Sequence, residues 1–205
     1  MPKGSPERTA ARKEEIISAC EKLYQTMSFK DITLKEIGNE TSFSRPTIYN
    51  YYQTKEEIFL ALFEREYIRW NEELQSILRD NEKLTREQLA EKLASSIANR
   101  QQLLKLLAMN NYDMEENSRS EILTSFKEAY GESMKNIRRI LAKFCPKKPD
   151  QEIQDFIYVF FPFMFGIYPY TAVTDKQREA MKEANVDYVY QSVFEITNNC
   201  LLKLL

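Results

Sequence analysis

The chain is 205 residues long, 43 % hydrophobic, with four glycines and a formal charge of −2. That is enough chain for a real core in one or two domains. It contains no histidine and three widely spaced cysteines, Cys20, Cys145 and Cys200, without a CxxC pair. A His-based metal site and a Ser–His nucleophile pair are therefore excluded, and the composition argues against structural zinc.

Little of the chain alternates as a strand does, and almost every window fits a helical period, which predicts an all-α fold of about nine helices. Residues 1–11 read as a flexible arm. Residues 1–15 carry no apolar stretch of the kind a secretory signal needs, so the expected location is cytoplasmic. The first helix is expected over about 12–27, with Ile16, Ala19, Cys20, Leu23 and Met27 on one face. Residues 33–58, TLKEIGNETSFSRPTIYNYYQTKEEI, then hold two short helices, a tight turn between them, and the start of a longer helix. Thr33 with Glu36 forms the pattern of a capping box, and Leu34 and Ile37 give the second helix an apolar face. Thr41-Ser42-Phe43 breaks it. Ser44 caps the third helix and Pro46 sits in its first turn, where a missing N–H costs little. Thr54 with Glu57 repeats the capping-box pattern, and Ile58, Phe59, Leu62 and Phe63 follow at helical spacing.

Further along, a helix is expected from Lys55 to Arg79, a polar link over 80–84, then helices over 85–98 and 100–110. A polar loop through Asn111, Tyr112 and Asp113 leads to Ser118, which with Glu121 reads as a cap opening a long helix to Phe144. Pro146 and Pro149 stop that helix. The next spans Asp150 to Tyr168 with a kink at Pro162, residues 176–184 form a short helix, and the last covers about 186–203. The uncharged run from Phe156 to Thr174 contains Pro162, Gly166 and Pro169 and is too short in its apolar part to cross a bilayer, so it reads as a buried helix.

A helix, a short turn and a second helix with polar residues is how proteins set side chains into the DNA major groove. The segment resembles the DNA-binding motif of TetR-type transcriptional regulators: Thr33, Ile37, Thr47-Ile48-Tyr49, Tyr52 and Lys55-Glu56-Glu57 stand at that family's spacing. The likeness covers about the first sixty residues. Ser42 and Thr41 depart from it, standing where the family usually has Gly and Ala.

The resemblance implies a helix-turn-helix DNA-binding domain over 1–54 and an effector-binding and dimerisation domain over 55–205. It implies DNA contacts from Lys35, Arg45, Pro46, Thr47, Tyr49, Tyr51 and Lys55, with Lys55 and Tyr49 on phosphates. Thr33, Ser44 and Asn50 join this candidate set from their places at the helix starts and one turn into the third helix. Ile48 and Tyr52 read instead as core. Residues 1–60 carry nine Lys or Arg and nine Asp or Glu, but residues 41–55 contain Arg45 and Lys55 and no acid. The local surface decides phosphate contact, and this modest local charge predicts modest non-specific affinity.

Family members commonly sense small molecules between their middle helices. Candidate pocket residues here are Phe63, Tyr67, Trp70 and Leu74, then Leu103, Leu107 and Asn110, then Phe126, Tyr130, Phe160 and Met164. Aromatics with a few amides suit an apolar or aromatic effector. The penultimate long helix carries aromatics around its whole circumference, so it needs cover on all sides. The resemblance implies that it and the last helix form a homodimer interface, with Phe156, Phe163, Val189, Val193, Phe194, Thr197 and Leu201 as candidates. Two recognition helices would then lie about 34 Å apart to read a palindrome.

The expectation is a homodimeric, effector-responsive DNA-binding regulator, usually a repressor in this family, with no catalytic residue, metal or cofactor. The alternative is an adaptor of the same fold that acts through a protein partner. An enzyme is disfavoured, because no phosphate-cradling Gly loop occurs and the carboxylates sit in solvated helix faces.

Overall fold

The computed structural model describes residues 5–109 and 111–205, and among them there are eleven α-helices and no strand. The helices are α1 (Pro6–Thr26), α2 (Leu34–Asn39), α3 (Arg45–Ile48), α4 (Lys55–Asp80), α5 (Arg86–Ala98) and α6 (Gln101–Leu107). Then come α7 (Asn111–Glu116), α8 (Ser120–Phe144), α9 (Asp150–Thr171), α10 (Asp175–Glu183) and α11 (Val193–Leu204). The all-α expectation holds; the count exceeds the expected nine or so, and α7 is the helix that falls where a loop was expected.

Three differences from the sequence reading have local causes. The expected arm is helical from Pro6: the Ser5 hydroxyl accepts from the Arg8 amide at 3.3 Å and Pro6 opens the first turn. Ser-Pro-Glu is itself a helix-start signal. The loop expected from Asn111 forms α7, and the Ser118 hydroxyl does not cap α8. It donates to the Met114 carbonyl at 2.6 Å, closing the end of α7, and α8 begins at Ser120. The last helix starts at Val193, not near 186. Ser192 and Glu195 form a capping box there, and Asn185, with φ of 51°, turns the chain after α10. Val186, Val189 and Tyr190 therefore lie in a segment without regular secondary structure despite their helical spacing.

The chain divides into two compact units. One is Met1–Arg65 with Asn110–Ala129; the other is Glu66–Met109 with Tyr130–Leu205. The packing division thus differs from the functional one expected at residue 54: a segment more than forty residues downstream of α4's start completes the N-terminal unit.

The core of the first unit is built from Ile16 and Cys20 of α1, Ile32, Ile37 of α2, Ile48 of α3, and Ile58 and Phe59 of α4, all inaccessible to solvent. Phe59 takes the edges of Tyr24 and Phe29 at ring separations of 5.1 and 4.8 Å. Arg65 ties α4 to α1 through Glu14, Glu21 at 2.8 Å and Ser18 at 2.9 Å. The cysteines are free thiols, Cys20 buried and the other two half-buried.

In the second unit α11 packs on α5 and α9, and α6 packs on α9. Its centre is aromatic: Trp70 meets Phe161 at 5.9 Å, and Tyr130 meets both Tyr67 and Phe161 edge-on at 5.5 Å. The buried Trp70 indole N–H donates to Ser96 at 3.1 Å, and the buried Asn136 amide donates to Asn71 at 3.0 Å, so these polar groups keep partners in the core. Helix α9 runs on through Pro162 and Pro169. Pro162 and Tyr158 are both exposed, so water can satisfy the carbonyl that Pro162 leaves without a donor. Among the described residues no single helix is long and apolar enough to cross a membrane; α9 and α10 reach that threshold only as a pair bent by 84°.

Candidate nucleic-acid interface

Helices α2 and α3 are held from behind and free in front. Ile37 and Ile48 are fully buried and Tyr52 nearly so, which settles Ile48 and Tyr52 as core. The two helices pass close to one another at Gly38, where a Cβ would sit in ordinary contact, 3.4 Å from the Cβ of Arg45 and 3.6 Å from Ile48. The Thr33 hydroxyl accepts from the Lys35 and Glu36 amides at 3.2 and 3.5 Å. Glu36 returns to the Thr33 hydroxyl rather than to its amide. Helix α3 has a single regular turn, extended by hydrogen bonds from Asn50, Tyr51 and Tyr52 back to Thr47 and Ile48.

Of the candidate DNA contacts, Thr33, Lys35, Ser44, Arg45, Pro46, Tyr49 and Asn50 are exposed, while Thr47 and Tyr51 are half-buried. Arg45 donates to the Tyr49 hydroxyl at 3.0 Å and lies over its ring, so the two form one unit on the open face of α3. Ser44 gives α3 no side-chain cap; its hydroxyl lies 3.3 Å from that of Thr47.

Lys55 is half-buried and engaged within the protein. Its ammonium donates to the carbonyls of Phe29 and Ile32 at 2.8 and 3.2 Å and sits 4.2 Å from the centre of the Phe29 ring. It closes the turn between α1 and α2 onto the start of α4.

Two contributors escaped the sequence reading. Arg12 of α1 donates to the Tyr51 hydroxyl at 3.3 Å and lies over Phe43, bracing the recognition segment from the side. Nothing in its spacing signalled this. The second is Arg119, in the turn between α7 and α8. The Glu57 carboxylate, only 1 % exposed, accepts from Arg119 Nε at 2.7 Å and Nη2 at 2.9 Å. It also accepts from the amides of Gln53 at 2.7 Å and Arg119 at 3.2 Å. Arg119 Nη2 donates as well to the Tyr51 carbonyl at 2.9 Å, and Thr54 donates to the Asn117 carbonyl at 3.1 Å. Burial pushes the Glu57 carboxyl up, but the Arg119 and amide hydrogen bonds outweigh it and hold it below the usual range. Hydrogen bonding to Glu57 raises Arg119 in turn. The link between α3 and α4 is thus clamped by a turn sixty residues away.

Residues 16–62 match the description of bacterial regulatory proteins, tetR family, and residues 64–192 match the tetracyclin repressor-like, C-terminal domain. The chain belongs to the TetR family. Among solved structures, a TetR-family transcriptional regulator from Mesorhizobium loti superposes with a TM-score of 0.64 at 14 % identity, over 96 % of this chain and 98 % of that one. FadR of Bacillus subtilis, solved with stearoyl-CoA, gives 0.60 at 17 %, over 93 % and 96 %. FadR of Thermus thermophilus, a TetR-family repressor solved with lauroyl-CoA, gives 0.52 at 20 %, over 88 % and 97 %. At these identities the likeness is one of fold. No curated protein matches the sequence. Family and fold are those of TetR transcriptional regulators, helix-turn-helix proteins and not enzymes.

The candidate effector residues of this TetR chain are packed, not open. Tyr67, Trp70, Leu74, Leu103, Leu107, Phe160 and Met164 are buried in the second unit beside Tyr130, and Phe63 meets Phe126 at 4.8 Å in the first. Asn110 lies outside the described residues. None of these residues lines the cavities found near α10, beside α5 and at the end of α8.

The candidate dimer residues differ in exposure within the protomer. Val193, Thr197 and Leu201 form the face of α11 that is buried within the protomer, and Phe156 is buried likewise. Phe163 and Phe194 are half-buried, and Val189 is 75 % exposed in the segment before α11. The open apolar face belongs to α9, where Tyr158 is 63 %, Val159 49 % and Phe165 39 % exposed.

Replacing Arg45 with alanine is expected to weaken operator binding by about 1–3 kcal/mol at each half-site, the usual worth of a bidentate base contact. Arg45 is exposed, so the melting temperature should not move. Unchanged binding by fluorescence anisotropy would remove Arg45 from the readout.

Proposed function

We propose that this TetR regulator is a homodimeric repressor that holds a palindromic operator and releases it when a small apolar or aromatic effector binds. The observation that carries the reading is the exposed Arg45–Tyr49 pair, with Lys35 and Asn50, on a motif fixed from behind by buried Ile37, Ile48 and Tyr52. A preserved open recognition face is what an adaptor working through a protein partner would not need. Base edges would be read by Arg45, Thr47 and Asn50 near the start of α3, and phosphates met by Lys35 and Tyr49.

The exposed stripe on α9 supports dimerisation, and a second copy related by a two-fold axis covers it with its own stripe. An apolar effector is supported by the two acyl-CoA-bound relatives of the same fold. Opening the aromatic core of Tyr67, Trp70 and Tyr130 to such a molecule requires those rings to part. The clamp of Arg119 on Glu57 and Tyr51 gives a route to the recognition segment: any shift of the α7–α8 turn acts on the start of α4. The coupling needed is about 1–3 kcal/mol of differential affinity between the two states.

The test is anisotropy binding to DNA flanking the chain's own gene, across a salt series, with scrambled DNA as control. Tight, salt-sensitive, sequence-selective binding by two subunits supports the regulator. Equal weak binding to both DNAs counts against operator recognition at that site and turns the search to protein partners.

A further inference from the structure

We infer that the cleft between the end of α9, α10 and the irregular segment 186–192 is a binding site for a small molecule with an apolar body and one negative charge. It has a volume of about 360 Å³ and is walled by Tyr170, Val173, Met181, Tyr188 and Tyr190. That is the size and character of a small-molecule pocket, which typically spans about 300–1,000 Å³.

The cleft is built without a core. Helix α10 buries none of its residues. It is fixed at its start by reciprocal hydrogen bonds between Thr174 and Gln177, at 3.3 Å and 2.9 Å. At its end Asn185, at positive φ, reverses the chain, and the Val186 amide donates to the Met181 carbonyl at 3.0 Å. This is the left-handed cap of a helix terminus. The chain then returns along α10, and the Tyr188 hydroxyl donates to the Tyr170 carbonyl at 3.2 Å. Tyr188 stacks on Tyr170 at 6.4 Å and meets Tyr190 edge-on at 4.9 Å. Three tyrosines are thereby held in contact on an exposed surface, where a chain with no use for them would bear polar residues.

The charge comes from Arg178. Its guanidinium carbon lies 4.5 Å from the centre of the Tyr190 ring, and among the described residues Arg178 makes no ion pair. A guanidinium laid against the ring of Tyr190, which is itself part of the cleft wall, keeps its in-plane donors for a carboxylate or sulfonate. Because Tyr170 also ends the exposed stripe of α9, a second copy of the chain is the competing occupant; the unpaired cation favours the small anion. The inference rests on the regulator reading only in calling that anion an effector.

The experiment is fluorescence titration of the full chain, without DNA, using 1-anilinonaphthalene-8-sulfonate as probe and uncharged N-phenyl-1-naphthylamine as its neutral counterpart. One probe per chain is expected. Arg178→Ala should weaken the anion about tenfold and leave the neutral probe alone, as loss of one charge-assisted contact requires. Ala180→Trp, on a helix with no buried residue, should fill the cleft and abolish binding of both. Unaltered binding in either variant overturns the site. So does a change of mass by light scattering in Ala180→Trp, which would give the cleft to a second copy. Adding operator DNA separates the two readings: a probe that fills the cleft without releasing DNA overturns the effector role and leaves the site standing.

Discussion

Two acidic substitutions on α9, Val159→Glu with Phe165→Glu, are expected to convert the proposed dimer to a monomer and to lower operator affinity by about 10²–10⁴-fold, the gain that linking two half-site contacts normally brings. Tyr158, Val159, Pro162, Phe165, Gly166, Pro169 and Tyr170 are all exposed and recur every three or four residues, so they fall on one side of the helix. The other side, with Ile153, Phe156, Ile157, Phe160, Phe161, Met164 and Ile167, is buried. A contiguous apolar stripe of this length marks an interaction surface on a soluble protein. In a two-fold contact each substitution counts twice, and like charges from the two copies then face each other. Both residues are exposed in the protomer, so the secondary structure should survive. Light scattering reads the mass and anisotropy the affinity. A double variant that stays dimeric with full affinity would move the interface off α9.

Much of the fold was legible because caps are local. The helix expected from 85 does begin there, at a reciprocal box of Thr85 with Gln88, whereas Thr174, which forms an equally local box with Gln177 at the start of α10, lay in a stretch expected to be loop. The recognition segment was legible for the same reason: Thr33, Ile37, Ile48 and Tyr52 act within twenty residues of one another, and their apolar members are buried as the spacing requires. What was not legible depends on distant neighbours. Periodicity shows that Val193, Thr197 and Leu201 share a face, but only packing shows that the face meets α5 and α9 within the protomer. Val186 and Val189 fit a helical period, yet the strong start signal at Ser192–Glu195 and the reversal at Asn185 exclude them from α11. Lys55 stands where a phosphate ligand is expected, and only the position of two carbonyls, more than twenty residues earlier, shows where its donors go. Glu57 read as a cap glutamate, and it does sit in that first turn, where the Glu57 amide donates to Thr54 at 3.2 Å. Its main partner, Arg119, lies sixty-two residues on.

Arg119→Ala is expected to destabilise the fold by about 2–3 kcal/mol, because it leaves a buried carboxylate with only its amide donors. The half-exposed position of Arg119 keeps the figure below that of a fully buried pair. It should also weaken operator binding, since Arg119 holds the Tyr51 carbonyl at the end of the recognition segment. Arg119→Lys, with one donor direction in place of a fork, should recover part of both losses. The pH dependence separates this contact from general packing. Glu57 sits below its ordinary value of 4.5 in the folded chain. A depressed carboxyl contributes stability that is fully present above the unfolded value and is lost as pH falls through the folded one. The stability gap between wild type and Arg119→Ala should therefore be widest at neutral pH and close progressively below pH 4.5. Thermal melts across that range read the gap, and anisotropy at neutral pH reads the operator. A gap that does not narrow in acid would mean that Arg119 acts by packing alone. Full operator affinity in the variant would mean that the α7–α8 turn does not set the recognition segment, leaving α4 to carry any coupling by itself.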